Sequence, residues 1–288
     1  MRTKLSFLLA FFILFYGCSN YSPAAPRDVK PAKAYVEVTP SFQRLLDSAG
    51  LDGSILLFDP EKHTYYSNDF KWAKTGQLPA STFKIPNSIV ALETGVILNE
   101  DMILPWDGTT RSIANWNQDL AFGDAFAFSC VPCYQQIARD IGFDRMRQHL
   151  DTLSYPRGVQ FETNNIDMFW LVGEARINQF EQIEFLQRFR QNKLPISEKT
   201  SRILRKIMVI DSTDQYILSG KTGWSNDGGN DNGWFVGFVE RPKRSDPKAE
   251  GQILYFATNV EPKEGVPIQN FIKGRRAVTE EAIKQVSW

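Results

Sequence analysis

The chain has 288 residues, with 33 Lys plus Arg against 33 Asp plus Glu, so its formal net charge is zero. Its 42% hydrophobic and 23% charged residues fit a globular protein that buries a core. The balance leaves no basic excess for nucleic acid, and two His and three Cys are a poor supply for a structural zinc site.

Arg2 and Lys4 precede an apolar run from Leu5 to Tyr16. That run is shorter than the ~20 residues a membrane-spanning helix needs, and it has the form of an export signal. The stretch Leu14-Phe15-Tyr16-Gly17-Cys18 resembles a bacterial lipoprotein cleavage box, with Phe15 where Leu is usual. On that reading residues 1–18 are the signal, Cys18 becomes the lipidated, membrane-anchored first residue, and 19–33 is a Pro/Ala-rich tether. Plain signal cleavage without lipid is the other reading. Both place the mature chain outside the cytoplasm, in the periplasm.

Residues 34–39 and 53–59 read as strands, and His63 to Ser67 closes a hairpin with the second. Pro79-Ala80-Ser81 opens a helix that Gly95 ends. From about 100 to 205 the pattern is mostly helical, clearest over 180–191 and 198–209, where apolar residues recur at steps of three and four. Strands return at 216–218, 233–240 and 253–260, with a polar loop over 225–232 and a closing helix over 275–287. Strands at both ends with helices between predict one α/β domain of α+β type. Its sheet comes from about 34–85 and 206–288, and a helical subdomain spans about 86–205.

Three short motifs carry chemistry. Ser81 and Lys84 are i and i+3 on a helix and therefore neighbours. A serine hydroxyl needs a base, and Lys serves as one only when burial or a nearby positive charge favours its neutral form. Ser245-Asp246-Pro247-Lys248 has the same spacing, but in a polar, Pro-containing loop. Lys221-Thr222-Gly223 follows an apolar strand, where it can offer an ammonium and a hydroxyl to an anion while Gly permits close approach. Lys74-Thr75-Gly76 lacks that context. Ser129, between the two motifs, can relay a proton or bind substrate; taken alone it reads as a helix N-cap. Cys130 and Cys133 have the spacing of redox motifs, and export permits a disulfide. The expectation is nevertheless two small buried apolar side chains.

The order Ser-x-x-Lys, middle Ser triplet, Lys-Thr-Gly is that of penicillin-recognising enzymes. Residues 79–88, Ser129-Cys130-Val131, Phe169-Trp170-Leu171, Trp106-Asp107-Gly108 and residues 233–237 together resemble class D, oxacillinase-type, serine β-lactamases. The resemblance runs from about Gly53 to the C-terminus. It implies a mixed, mainly antiparallel sheet flanked by helices, with an all-helical insert. It also implies hydrolysis of β-lactams through a Ser81 acyl-enzyme. Lys84 would be carbamylated (N6-carboxylysine), needing CO2 or bicarbonate but no metal or other cofactor, and would be the general base for both half-reactions. Trp170 would hold the carbamate, Val131 would wall its pocket, and Ser129 would relay a proton to the leaving nitrogen, with Lys221 tuning the site electrostatically. Thr222, Gly223 and Arg275 would bind substrate, with Arg276 an alternative to Arg275. The backbone N–H groups of Ser81 and Trp224 would form the oxyanion hole. The protein would act as a monomer or homodimer.

Tyr155-Pro156-Arg157 stands where the family usually has Tyr-Gly-Asn, so no role is carried over to that loop. A penicillin-binding protein or β-lactam sensor, acylated but slow to turn over, is the alternative reading. A Ser-His-Asp hydrolase would have to use His63 or His149, and neither lies in a catalytic context.

Overall fold

The computed structural model describes residues 34–241 and 251–288. The expected export segment, Cys18, the expected tether and the Ser245-Lys248 copy lie outside the described residues. Residues Ala34 to Trp288 form one compact unit.

Its centre is a seven-stranded sheet, in the order β1-β3-β2-β9-β8-β7-β6. The strands are β1 (Tyr35–Val38), β2 (Leu51–Asp59), β3 (Thr64–Ser67), β6 (Val209–Ser212), β7 (Ile217–Asp227), β8 (Asn230–Arg241) and β9 (Gln252–Pro262). All neighbours are antiparallel except β1 and β3, so the sheet is mixed. The first strands pair with the last through β2 and β9, which closes the sheet from both chain ends.

The central strands are apolar on successive residues because both faces are covered. Ile55, Leu57, Phe235, Phe256 and Val260 point to one core with Phe42 and Leu46 of α1 (Pro40–Ala49) and with Phe271 and Val278 of α9 (Ile268–Gln285). Leu56, Phe58, Trp234, Val236, Tyr255 and Ala257 point to the other core, shared with the helical insert. A side-chain period of two sends alternate residues to opposite faces.

The insert holds α3 (Lys84–Glu93), α4 (Phe122–Ala127), α5 (Val131–Ile141), α6 (Phe143–Thr152), α7 (Gln179–Arg190) and α8 (Glu198–Ile207). α2 (Phe70–Ala73) precedes it. The insert is not wholly helical, since β4 (Ile103–Leu104) and β5 (Leu120–Ala121) pair within it. Other expectations also need correction. The polar loop over 225–232 shrinks to the turn Gly228–Gly229, because Ser225, Asn226 and Asp227 pair with Asn232, Asp231 and Asn230. Both glycines have positive φ, as a tight hairpin requires. The closing helix starts at Ile268, not 275. Cys130 and Cys133 are joined in a disulfide rather than lying as separate thiols. They sit at the start of α5, where one helical turn brings positions three apart together.

Candidate active site

The turn that carries Ser81 is a short 3-10 helix, Ala80–Phe83, running directly into α3. Ala80 has φ +50, a costly conformation for a residue with a Cβ. Its surroundings hold it there. Ala80 N–H donates to the Trp170 carbonyl at 2.7 Å. The Leu78 carbonyl accepts from Trp234 Nε1 at 2.8 Å and Asn232 Nδ2 at 2.9 Å. Thr82 Oγ1 donates to the Pro79 carbonyl and accepts from Gln182 Nε2. Ser81 is therefore presented by a turn fixed from the sheet, from α7 and from the Trp170 segment.

Lys84 begins α3 one turn on, and its Nζ lies 3.0 Å from Ser81 Oγ. The residue is 1% exposed. Burial alone pushes its ammonium down to about 7. Among the described residues no carboxylate lies within ion-pair distance of it. With the amine uncharged, the same contact runs from the Ser81 hydroxyl to the Lys84 lone pair. Tyr134 was not anticipated here: its ring centroid lies 4.9 Å from Nζ, and its hydroxyl bonds Ser88 Oγ at 2.7 Å. The available signal was its place in α5, three residues after Val131.

Trp170 is buried, with its ring stacked on Phe83 at 5.4 Å. Its backbone holds Ala80, but its indole Nε1 is buried without an acceptor. An unpaired buried N–H is costly.

A second Ser–Lys pair faces the first. Ser129 lies between α4 and α5, and its Oγ accepts from Lys221 Nζ at 3.0 Å. Lys221 is 4% exposed and also donates to the Thr222 carbonyl at 3.0 Å. Burial first, then the charges of Lys84 and Arg275, lower its pKa well below the ordinary lysine value. Val131 follows as the first residue of α5 and is half-buried.

β7 brings Lys221, Thr222, Gly223 and Trp224 past the Ser81 turn. β6 pairs with it only as far as Ser219, so its outer edge beyond that point is not covered by a strand. A Cβ on Gly223 would lie 3.2 Å from Thr82 Cγ2 and 3.3 Å from Ala80 Cβ, tighter than ordinary contact. Glycine is what lets the strand run against the turn. Trp224 is partly exposed, and its Nε1 donates to Asp231 at 2.8 Å.

Arg275 is 7% exposed, and its Nη1 donates to the Gly223 carbonyl. Its Nε is buried without a partner, and burial lowers the guanidinium to about 10. Arg276 turns away to Glu280 at 2.5 Å. Of the two arginines left open by the sequence, Arg275 reaches the site.

Tyr155 packs edge-on against Phe83 at 5.9 Å and Phe185 at 4.9 Å, so this side chain buttresses the turn, while Arg157 faces solvent. A hollow of about 1300 Å³ beside this loop is lined by Arg147, Tyr155, Phe161 and Glu174 among others, and includes none of Ser81, Lys84, Ser129 or Lys221. The chemistry, not the size of a cavity, marks the site. Trp106 and Asp107 lie on an exposed loop, where Asp107 pairs with Arg111 at 2.6 Å. No group of three His, Cys, Asp or Glu able to hold a metal is found among the described residues.

Residues 53–249 match the family described as the penicillin binding protein transpeptidase domain. The chain is 39% identical over 233 residues to the beta-lactamase OXA-48 of Klebsiella pneumoniae, covering 81% of this chain and 83% of that protein. It is similar to the crystal structure of the class D beta-lactamase YbXI from Nostoc, with a TM-score of 0.78 and 38% identity over 86% of this chain and 98% of that one. The class D beta-lactamase from Sebaldella termitidis superposes with a TM-score of 0.80 at 30% identity, over 88% of this chain and 98% of that one.

Proposed function

The chain belongs to the class D β-lactamases, and from that premise we propose that it hydrolyses β-lactam antibiotics through an ester on Ser81. The observation that carries this reading is the sealed Ser81–Lys84 pair: 3.0 Å apart, the lysine 1% exposed and free of any carboxylate partner among the described residues. A lysine so placed favours its neutral form at ordinary pH.

Carbon dioxide added to that neutral amine, with loss of one proton, supplies a carboxylate-type base in reach of Ser81. The Trp170 indole N–H is the donor on hand to hold it. Ser81 Oγ attacks the lactam carbonyl carbon as its proton is withdrawn, and the ring C–N bond breaks. Ser129 gives its proton to the departing nitrogen and is reprotonated from the Lys221 side, to which it is hydrogen-bonded. A water then attacks the ester, its proton withdrawn on the Lys84 side, and Ser81 leaves with a proton; the sum is lactam plus water to amino acid. Backbone N–H groups of Ser81 and Trp224 would hold the developing oxyanion, an interaction whose loss typically costs ~10²–10³ in rate. Thr222 and Arg275 would take the substrate carboxylate on the uncovered edge of β7, and Val131 would keep water from Lys84.

Residues 34–288 form the catalytic unit of this proposal. Export by the N-terminal segment belongs to it too, and the mass of the mature N-terminus distinguishes a lipidated Cys18 from plain cleavage.

The test is turnover. Purified protein is expected to hydrolyse a chromogenic cephalosporin for many cycles, faster with added bicarbonate, and ¹³C-bicarbonate should give a carbamate resonance that Lys84→Ala lacks. A single stoichiometric burst, with the protein left acylated, would overturn hydrolysis in favour of a sensor or penicillin-binding protein.

A further inference from the structure

The serine of the second pair is held in an unfavourable backbone conformation by two helix ends. α4 finishes at Ala127, and the chain then bonds back on itself: Ser129 N–H to the Phe126 carbonyl at 3.1 Å, Cys130 N–H to the Ala125 carbonyl at 2.9 Å. This is the paired bonding of a Schellman helix end, whose first residue beyond the cap must be left-handed and is usually glycine. Here it is Ser129, at φ +55. Catalysis on the reading above requires a hydroxyl at that position, so glycine is not available to relieve the conformation.

The next residue, Cys130, is at once the last residue of that helix end and the N-cap of α5, its Sγ 3.2 Å from Cys133 N. The disulfide joins this N-cap to the third residue of α5. In most helices a Ser or Asp side chain links those positions by a hydrogen bond alone. Here the link is covalent, and Val131 lies inside the ring it closes. Cys130 is fully buried and Cys133 half-buried.

We propose that the Cys130–Cys133 disulfide is a positioning clamp that fixes Ser129 and Val131 in their working geometry, and that dithiols open it and so lower turnover. The proposal rests on the reading of Ser129 given above. A dithiol reductant supplies the electrons. Its thiolate attacks Cys133 Sγ, the sulfur nearer solvent, and the S–S bond breaks with Cys130 as leaving thiolate. The reductant's second thiol then closes a cyclic disulfide and expels the Cys133 thiolate. Both protein thiolates take protons, so two electrons and two protons are gained. The ring spans one helical turn, so its opening leaves the sheet and both cores intact and frees chiefly the turn between α4 and α5.

The experiment compares oxidised protein, protein reduced with dithiothreitol until two further thiols titrate, the same protein reoxidised, and Cys133→Ala, all in saturating bicarbonate. Opening the clamp should lower kcat roughly tenfold, the scale expected when a proton-transfer group is slightly misplaced, with KM within about twofold. Reoxidation should restore kcat. Amide exchange without substrate should quicken at Ser129 and Cys130 but not in β8 or β9. Turnover by the oxidised protein tests the Ser81 reading separately, whereas the exchange measurement reads the clamp without needing activity. Unchanged kcat in both the reduced protein and Cys133→Ala would overturn the proposal, as would exchange at Ser129 and Cys130 indifferent to reduction.

Discussion

Two buried lysines each lie 3.0 Å from a serine, yet their surroundings differ in kind. Lys84 is surrounded by Tyr134, Phe83 and other buried groups, and burial is the sole cause lowering its pKa. Lys221 is lowered first by burial and then by the neighbouring basic groups Lys84 and Arg275, and has a carbonyl acceptor in Thr222. Stacked on Phe83, the residue before Lys84, the Trp170 indole is a buried donor without an acceptor. The Lys84 side thus lacks an anion, whereas the Lys221 side lies beside the Arg275 guanidinium, which keeps its charge near neutral pH. Equal Ser–Lys spacing therefore does not mean equal work: one pair suits proton withdrawal, the other proton delivery and attraction of an anionic substrate.

The largest expected effect tests that division. Removing a general base costs about 10²–10⁴ in rate, and Lys84→Ala should lose at least that in kcat, with intact-mass spectra showing acyl-protein that does not turn over. Lys221→Ala should slow acylation instead and leave no such trapped ester. If both variants trap the ester equally, the two pairs are not differentiated. Next comes Trp170→Phe, which keeps the stack on Phe83 but removes the N–H. A hydrogen bond to a charged group is worth about 1.5–3 kcal/mol, so kcat in ambient CO2 should fall by roughly 10- to 100-fold. Bicarbonate should recover much of it, as it should not for Ser129→Ala.

The pH response follows from the same contrast. Lys84 falls from the ordinary 10.5 to about 7 on folding. Between those values the unfolded chain binds the extra proton, so stability rises with pH through that window, and the cost of a buried ammonium is fully present below about 7. Lys84→Met should therefore be more stable than the parent at pH 6, by about 1–4 kcal/mol on the scale seen when buried charges are replaced by apolar groups. Denaturant midpoints should converge as pH rises. A parent protein with equal stability at pH 6 and pH 9 would contradict a neutral Lys84.

Much of this was legible in the chain because motif order and long apolar strands are local signals. Ser81, Lys84, Ser129 and Lys221 are named by the order of three weak motifs and by the family resemblance, not by spacing alone, and β2, β8 and β9 by their apolar runs. What escaped depends on partners distant in sequence. Ser225, Asn226 and Asp227 have turn-former composition and become strand only because β8 pairs with them. α1 buries just Phe42 and Leu46, and β6 is four residues none of which is buried, so neither gives a clear period. The cysteine bridge follows from the helix that begins at Val131, not from the spacing alone.

Arg275 and Arg276 give the smallest and sharpest test, because adjacent residues on a helix point about 100° apart and their sequence cannot rank them. The packing of α9 against the sheet buries Arg275 on the Gly223 carbonyl and leaves Arg276 with Glu280 on the outer side. Arg275→Ala should raise KM roughly tenfold, as expected for a charge-assisted hydrogen bond to a substrate carboxylate, with a smaller change in kcat. Arg276→Ala removes an exposed ion pair worth about 0.2–1 kcal/mol and should leave both constants within about twofold. Measured side by side by steady-state kinetics, the pair separates substrate binding from mere helix charge. Equal effects would mean that the positive field at the strand edge comes from α9 as a whole rather than from the one guanidinium that faces it.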